Sequence, residues 1–69
     1  MELTPVKSST VAKVGYNPEK SELLVEFSSG AQYRYLAVEQ GVYESLLSAE
    51  SVGKFLNANI KEQYEFQKI

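Results

Sequence analysis

Seven residues, Ser51-Val52-Gly53-Lys54-Phe55-Leu56-Asn57, carry the densest chemistry in the chain. Ser51 suits the N-cap of a helix, and a helix start offers unpaired N–H donors at the positive end of its dipole. Gly53 would let a phosphate or carboxylate approach the backbone, Lys54 would add charge, and Asn57 an amide. On a helix Ser51, Lys54, Ala58 and Lys61 share one face, with Asn57 beside them. The chemistry is anion recognition, Ser51 and Gly53 through backbone, Lys54, Asn57 and Lys61 through side chains. The competing reading is structural. Ser51 simply caps, Gly53 lets the helix approach a neighbour closely, Asn57 bonds a loop backbone, and the lysines are solvated. Capped helices are common, so the structural reading has the larger claim. The full Gly-x-x-x-x-Gly-Lys-Ser/Thr pattern is absent, and nucleotide hydrolysis is not supported.

Catalysis has little to work with. The 69 residues include no His and no Cys, which removes the usual general base, the thiol nucleophile and the commonest transition-metal ligands. Ser8-Ser9-Thr10 supplies hydroxyls without a base to activate them. Glu19, Glu22 and Glu26 are spread over a turn and a strand rather than paired. We expect no enzyme activity, no metal site and no cofactor.

Seven Lys+Arg against nine Asp+Glu give a net charge of -2. Nucleic-acid domains usually carry a basic surplus, so any nucleic-acid contact here is local, weak and salt-dependent. The opening MELTPVKSST has no apolar core of signal-peptide length, and no stretch approaches the ~20 apolar residues of a membrane helix. The chain reads as soluble and cytoplasmic, with no membrane partner. Its length reads as one domain over residues 1–69, with a core at about 8–64 and ends at 1–7 and 65–69 that are loose unless tied down.

The positioning elements follow from periodicity. Val11–Tyr16, Ser21–Ser28 and Ala31–Leu36 alternate as strands, separated by turns at Asn17–Lys20 and Ser28–Gly30. A three-residue loop with Gly30 left-handed pairs Phe27 with Ala31, Val25 with Tyr33 and Leu23 with Tyr35; a two-residue loop would put polar residues on the apolar face. A four-residue loop at Asn17–Lys20 pairs Tyr16 with Ser21, Val14 with Leu23 and Ala12 with Val25. One face then collects Ala12, Val14, Tyr16, Leu23, Val25, Phe27, Ala31, Tyr33 and Tyr35. The other carries Lys13, Leu24, Glu26, Gln32 and Arg34 toward solvent. Val38, Val42, Leu46 and Ala49, joined by Tyr43 and Leu47, form one helical stripe. Val52, Phe55, Leu56, Asn59 and Ile60 form another. The prediction is α+β: a three-stranded antiparallel meander with two C-terminal helices on one face. Tyr64 and Phe66 alternate in a tail that either docks or frays. Tyr33-x-Tyr35 has the form of a base-stacking platform, but the register puts both rings under the helices.

Ser8-Ser9, Gly15-Tyr16, Phe27, Gly30, Tyr33-x-Tyr35, Val42-Tyr43 and Ser51-x-Gly53-x-Phe55-x-Asn57 occur in an order that resembles the KTSC domain, a family named for a copy at the C-terminus of some lysyl-tRNA synthetases. The resemblance runs from about Ser8 to Tyr64. It implies a small α+β domain found alone in bacteria and phages or appended to larger proteins, with an RNA-related accessory role suggested by the synthetase fusion.

Two binding functions remain in view. One is a non-catalytic interaction module that docks a protein or a second copy of itself, with Lys13, Leu24 and Arg34 on the contact face. The other is a weak RNA- or anion-binding domain using Ser51, Gly53, Lys54, Asn57 and Lys61.

Overall fold

The structure, a computed structural model, describes residues 3–69. The first two residues of the N-terminal end expected to be loose lie outside the described residues. The elements are β1 (Thr4–Pro5), β2 (Val11–Asn17), β3 (Glu22–Phe27), β4 (Gln32–Tyr35), α1 (Gln40–Ser48), α2 (Val52–Asn59) and β5 (Phe66–Lys68). All strands join one antiparallel sheet in the order β1-β2-β3-β4-β5. The α+β class stands, while the three-stranded meander becomes five-stranded. The two additions are edge strands of two and three residues, too short to leave a periodic signature.

Gly30 sets the β3–β4 register. Its φ of 96° opens a left-handed corner, its N–H donates to Phe27 O at 2.9 Å, and Phe27 N–H donates to Ala31 O at 2.8 Å. Leu23 then faces Tyr35 and Val25 faces Tyr33, as the alternation requires.

The β2–β3 pairing corrects the expected register by two residues: Tyr16 faces Leu23 and Val14 faces Val25. A shift of two leaves every side chain on its face, so alternation could not distinguish the registers. The chain turns in part because Ser21 leaves the strand and takes φ 53°. The ladder also slips between Val11 and Lys13, which puts an extra residue, Ala12, in β2. This bulge brings Val11 into the core with Val14, where strict alternation placed Ala12.

The buried cluster joins Val11, Val14, Leu23, Val25 and Tyr35 of the sheet to Val38, Leu46, Val52, Leu56 and Ile60. Val38 precedes α1 instead of lying in it, yet is fully buried and doubly tied: its N–H donates to Ser21 O at 2.8 Å, and its carbonyl accepts from the Tyr16 hydroxyl at 2.6 Å. Tyr16 also stacks on Tyr43 of α1 with ring centroids 5.3 Å apart. Two residues of the expected helical stripes face outward instead. Leu47 is 43% exposed, and Asn59 is exposed with its amide donating to Phe55 O. Ala49 ends α1 in an extended conformation. Among the described residues no helix is long and apolar enough to cross a membrane.

Candidate functional site: an aromatic groove beside the second helix

Ser51 caps α2, its Oγ accepting from Lys54 N–H at 3.3 Å. Gly53 is buried, and a Cβ there would lie 3.4 Å from Ser8 Oγ and 3.5 Å from the Thr10 side chain. The helix start therefore packs on the turn leading into β2. Ser8 Oγ is itself committed, accepting from Thr10 and Val11 N–H at 3.2 Å each. Lys54 is exposed beyond this contact.

Asn57 and Lys61 gather elsewhere. Both are exposed, and they line a groove of about 310 Å³ with Thr10, Phe27, Ser29 and Tyr33. Lys61 follows the end of α2, its N–H donating to Leu56 O at 2.8 Å beside the Ile60 bond to the same carbonyl. That paired closure turns the chain sharply and fixes where the lysine leaves the helix. The five residues proposed from the sequence thus divide in space: Ser51 and Gly53 at the packed start of α2, Asn57 and Lys61 at the groove, Lys54 in solvent.

Phe27 and Tyr33 give the groove an aromatic wall, and Phe66, outside the lining, stacks on Tyr33. Tyr33 meets Phe27 edge-on at 5.4 Å and lies parallel to Phe66 at 5.3 Å, with 4° between their planes. Tyr35, fully buried, sits behind Tyr33 at 6.5 Å. Burial beneath the helices therefore holds for Tyr35, whereas Tyr33 is half-buried and forms part of an open wall. Phe66 keeps 50% of its surface exposed, and Lys68, also exposed, stands opposite Tyr33 in the β4–β5 register. Phe66 and Lys68 escaped the sequence reading, whose only signal was the alternation of Tyr64 and Phe66.

Desolvation, and secondarily the neighbouring Tyr33, push the Tyr35 phenol above its ordinary value. Its hydroxyl is buried with no hydrogen-bond partner among the described residues. No cluster of metal-ligating side chains occurs among those residues.

Lys13, Leu24 and Arg34 occupy the outer sheet face, where Lys13 is exposed and Leu24 and Arg34 are half-buried. Arg34 Nη1 reaches Glu22 Oε1 at 3.9 Å, and Gln32 donates to Glu26 at 2.7 Å.

A five-stranded antiparallel sheet layered under two short helices, with a half-open aromatic groove at one end, defines a small α+β module. The chain belongs to the KTSC domain family, whose model matches residues 7–64. It is similar over nearly its whole length to an uncharacterized protein of Stutzerimonas stutzeri, 45% identical over 64 residues (93% of this chain, 90% of that protein). A protein of Tsukamurella paurometabola is 39% identical over 62 residues, covering 90% of this chain and 92% of the relative. A lysine–tRNA ligase of Nostoc is 32% identical over 63 residues, 91% of this chain but 11% of the ligase. The crystal structure of a KTSC domain protein from Yersinia pestis superposes with a TM-score of 0.96 at 32% identity, covering 99% of this chain and 96% of that one. Both settings implied by the resemblance, the free-standing domain and the appended one, appear among these relatives.

Proposed function

We propose that the domain is a non-catalytic accessory module that binds a short single-stranded RNA segment weakly in the Tyr33 groove. The observation that carries this reading is the parallel stack of Tyr33 and half-exposed Phe66 flanked by Lys61 and Lys68. A base added to such a stack contributes about 1–3 kcal/mol irrespective of its identity, because every base presents a π face. The lysines supply backbone charge, while Asn57, Thr10 and Ser29 offer polar rim contacts. The anion role of the Ser51–Lys61 segment is retained at its C-terminal part, where Asn57 and Lys61 border the aromatic wall. Occurrence of a related segment within a lysine–tRNA ligase supports an accessory place beside RNA.

The test is an NMR titration with a short single-stranded oligoribonucleotide at low salt. Amide shifts should concentrate at Thr10, Tyr33, Asn57, Lys61 and Phe66. Two or three phosphate contacts correspond to a slope of log affinity against log salt of about -1.4 to -2.1. Lys61→Ala should weaken binding and flatten that slope. An unchanged spectrum at low salt removes the reading.

A further inference from the structure

The outer face of the sheet, turned away from both helices, has the anatomy of a protein interface. Leu3, Leu24 and Ile69 line a depression of about 250 Å³ on that face, with Gln32 at its side. Leu3 and Leu24 are half-buried, and Ile69 is 60% exposed although it lies at the end of β5 with its N–H bonded to Gln32 O. An apolar centre with a charged surround is the pattern of contact surfaces.

The charges choose the occupant. Lys13 faces Glu26 across β2–β3, and Arg34 lies near Glu22 at 3.9 Å. Among the described strand residues two cations and two anions balance on this face, so these give no net attraction to a polyanion or an anionic lipid surface. A face of alternating sign does match its own image. In a two-fold contact each residue meets the other's counterpart, so an axis beside this pair sets Lys13 against Glu26 of a second copy, and the reverse. The sheet edges cannot serve instead, since β1 and β5 have two and three residues and present almost no ladder to extend.

We propose that the outer sheet face is a self-complementary interface through which two copies of this chain associate, with Leu24 at its centre and Lys13–Glu26 pairs across it. The face is opposite the Tyr33 groove, so a dimer leaves both grooves open.

Sedimentation and light scattering of the full chain over the micromolar-to-millimolar range provide the test. The average mass should climb toward twice that of the monomer. Leu24→Glu should hold it at the monomer value with the amide spectrum of the fold intact. Lys13→Glu and Glu26→Lys should each weaken self-association several-fold, and the two exchanges paired in one mixture of the single variants should restore it as a heterodimer, a recovery that loss of fold cannot imitate. A monomer at the highest concentration overturns the proposal and leaves the face to a different protein or to solvent. Association that survives Leu24→Glu, or a paired exchange that restores nothing, overturns it equally.

Discussion

Gly53 of α2 rests on Ser8, so that a Cβ on the glycine would lie 3.4 Å from the Ser8 Oγ. The same oxygen holds Thr10 and Val11 N–H at the start of β2. The glycine thus lets the second helix settle on the turn that launches the sheet. Contacts of 3.4 and 3.5 Å are ordinary van der Waals separations, so one methyl fits. Gly53→Ala should leave stability within about 1 kcal/mol of the parent, as helix propensity offsets the crowding. Gly53→Val, whose branch must enter the Ser8 and Thr10 side chains, should cost about 1–3 kcal/mol. Urea midpoints of the two variants check the pair; equal midpoints would show that the approach is not tight.

Ser8 itself should be as sensitive. Ser8→Ala removes the acceptor of two backbone N–H groups, one of them part-buried. The expected loss is about 1–2 kcal/mol, the size of a lost cap. Ser9, whose carbonyl accepts from the Ser28 hydroxyl, contributes through its backbone, so Ser9→Ala should be nearly neutral. The contrast separates adjacent serines that look alike in the sequence.

What the sequence disclosed and what it hid have a common physical origin. Gly30 made the β3–β4 register legible because, of the two- and three-residue loops, only the longer keeps Leu23, Val25 and Phe27 with Ala31, Tyr33 and Tyr35, and glycine accepts the φ that loop needs. No such marker stands at the β2–β3 turn. Ser21 takes φ 53° there, a conformation the residue type does not announce, and a register offset by two preserves every face. The bulge at Ala12 is equally silent. The groove was half legible: Asn57 and Lys61 were visible as a polar helix face, but the Phe66 ring that stacks on Tyr33 is carried by a three-residue edge strand.

Ala37 stores strain that a substitution can release. Its φ is 56°, and it precedes Val38, whose N–H is bonded to the carbonyl of Ser21, a second non-glycine residue with positive φ. The left-handed conformation costs an L-residue about 1–2 kcal/mol, partly cancelled in glycine by greater freedom when unfolded. Ala37→Gly should therefore raise stability by about 0.5–1 kcal/mol. Thermal unfolding monitors it, and a lower midpoint would mean that the Ala37 methyl makes contacts outweighing the strain.

The Tyr35 phenol confers a pH dependence with a definite sign. Its value is raised in the folded chain, first by burial and then by Tyr33, so the unfolded chain ionises at lower pH than the folded one. The stability linked to this group is complete below the unfolded value of about 10 and declines as pH rises beyond it. Tyr35→Phe removes that linkage and a buried hydroxyl without a partner. Its stability at neutral pH should match or exceed the parent by up to about 1 kcal/mol. Denaturant midpoints between neutral and strongly alkaline pH should fall less steeply in the variant. Parallel curves would assign the alkaline loss to other groups.

Phe66 should couple the groove to the last strand. Its ring covers Tyr33 at 5.3 Å and touches Tyr35 at 5.7 Å, while all three residues of β5 are exposed. The side chain is thus the main apolar anchor of a strand held otherwise by backbone bonds such as Ile69 N–H to Gln32 O at 2.9 Å. With half its surface open, Phe66→Ala should cost about 1 kcal/mol, half the value of a fully buried ring. The local effect should be larger than the global one. Amide exchange at Leu36 and Ile69, which bond across β4 and the tail, should accelerate well before the protection of Val14 or Val25 changes. If exchange rises uniformly across the sheet instead, β5 unfolds with the core, and the aromatic wall is as rigid as the rest of the fold.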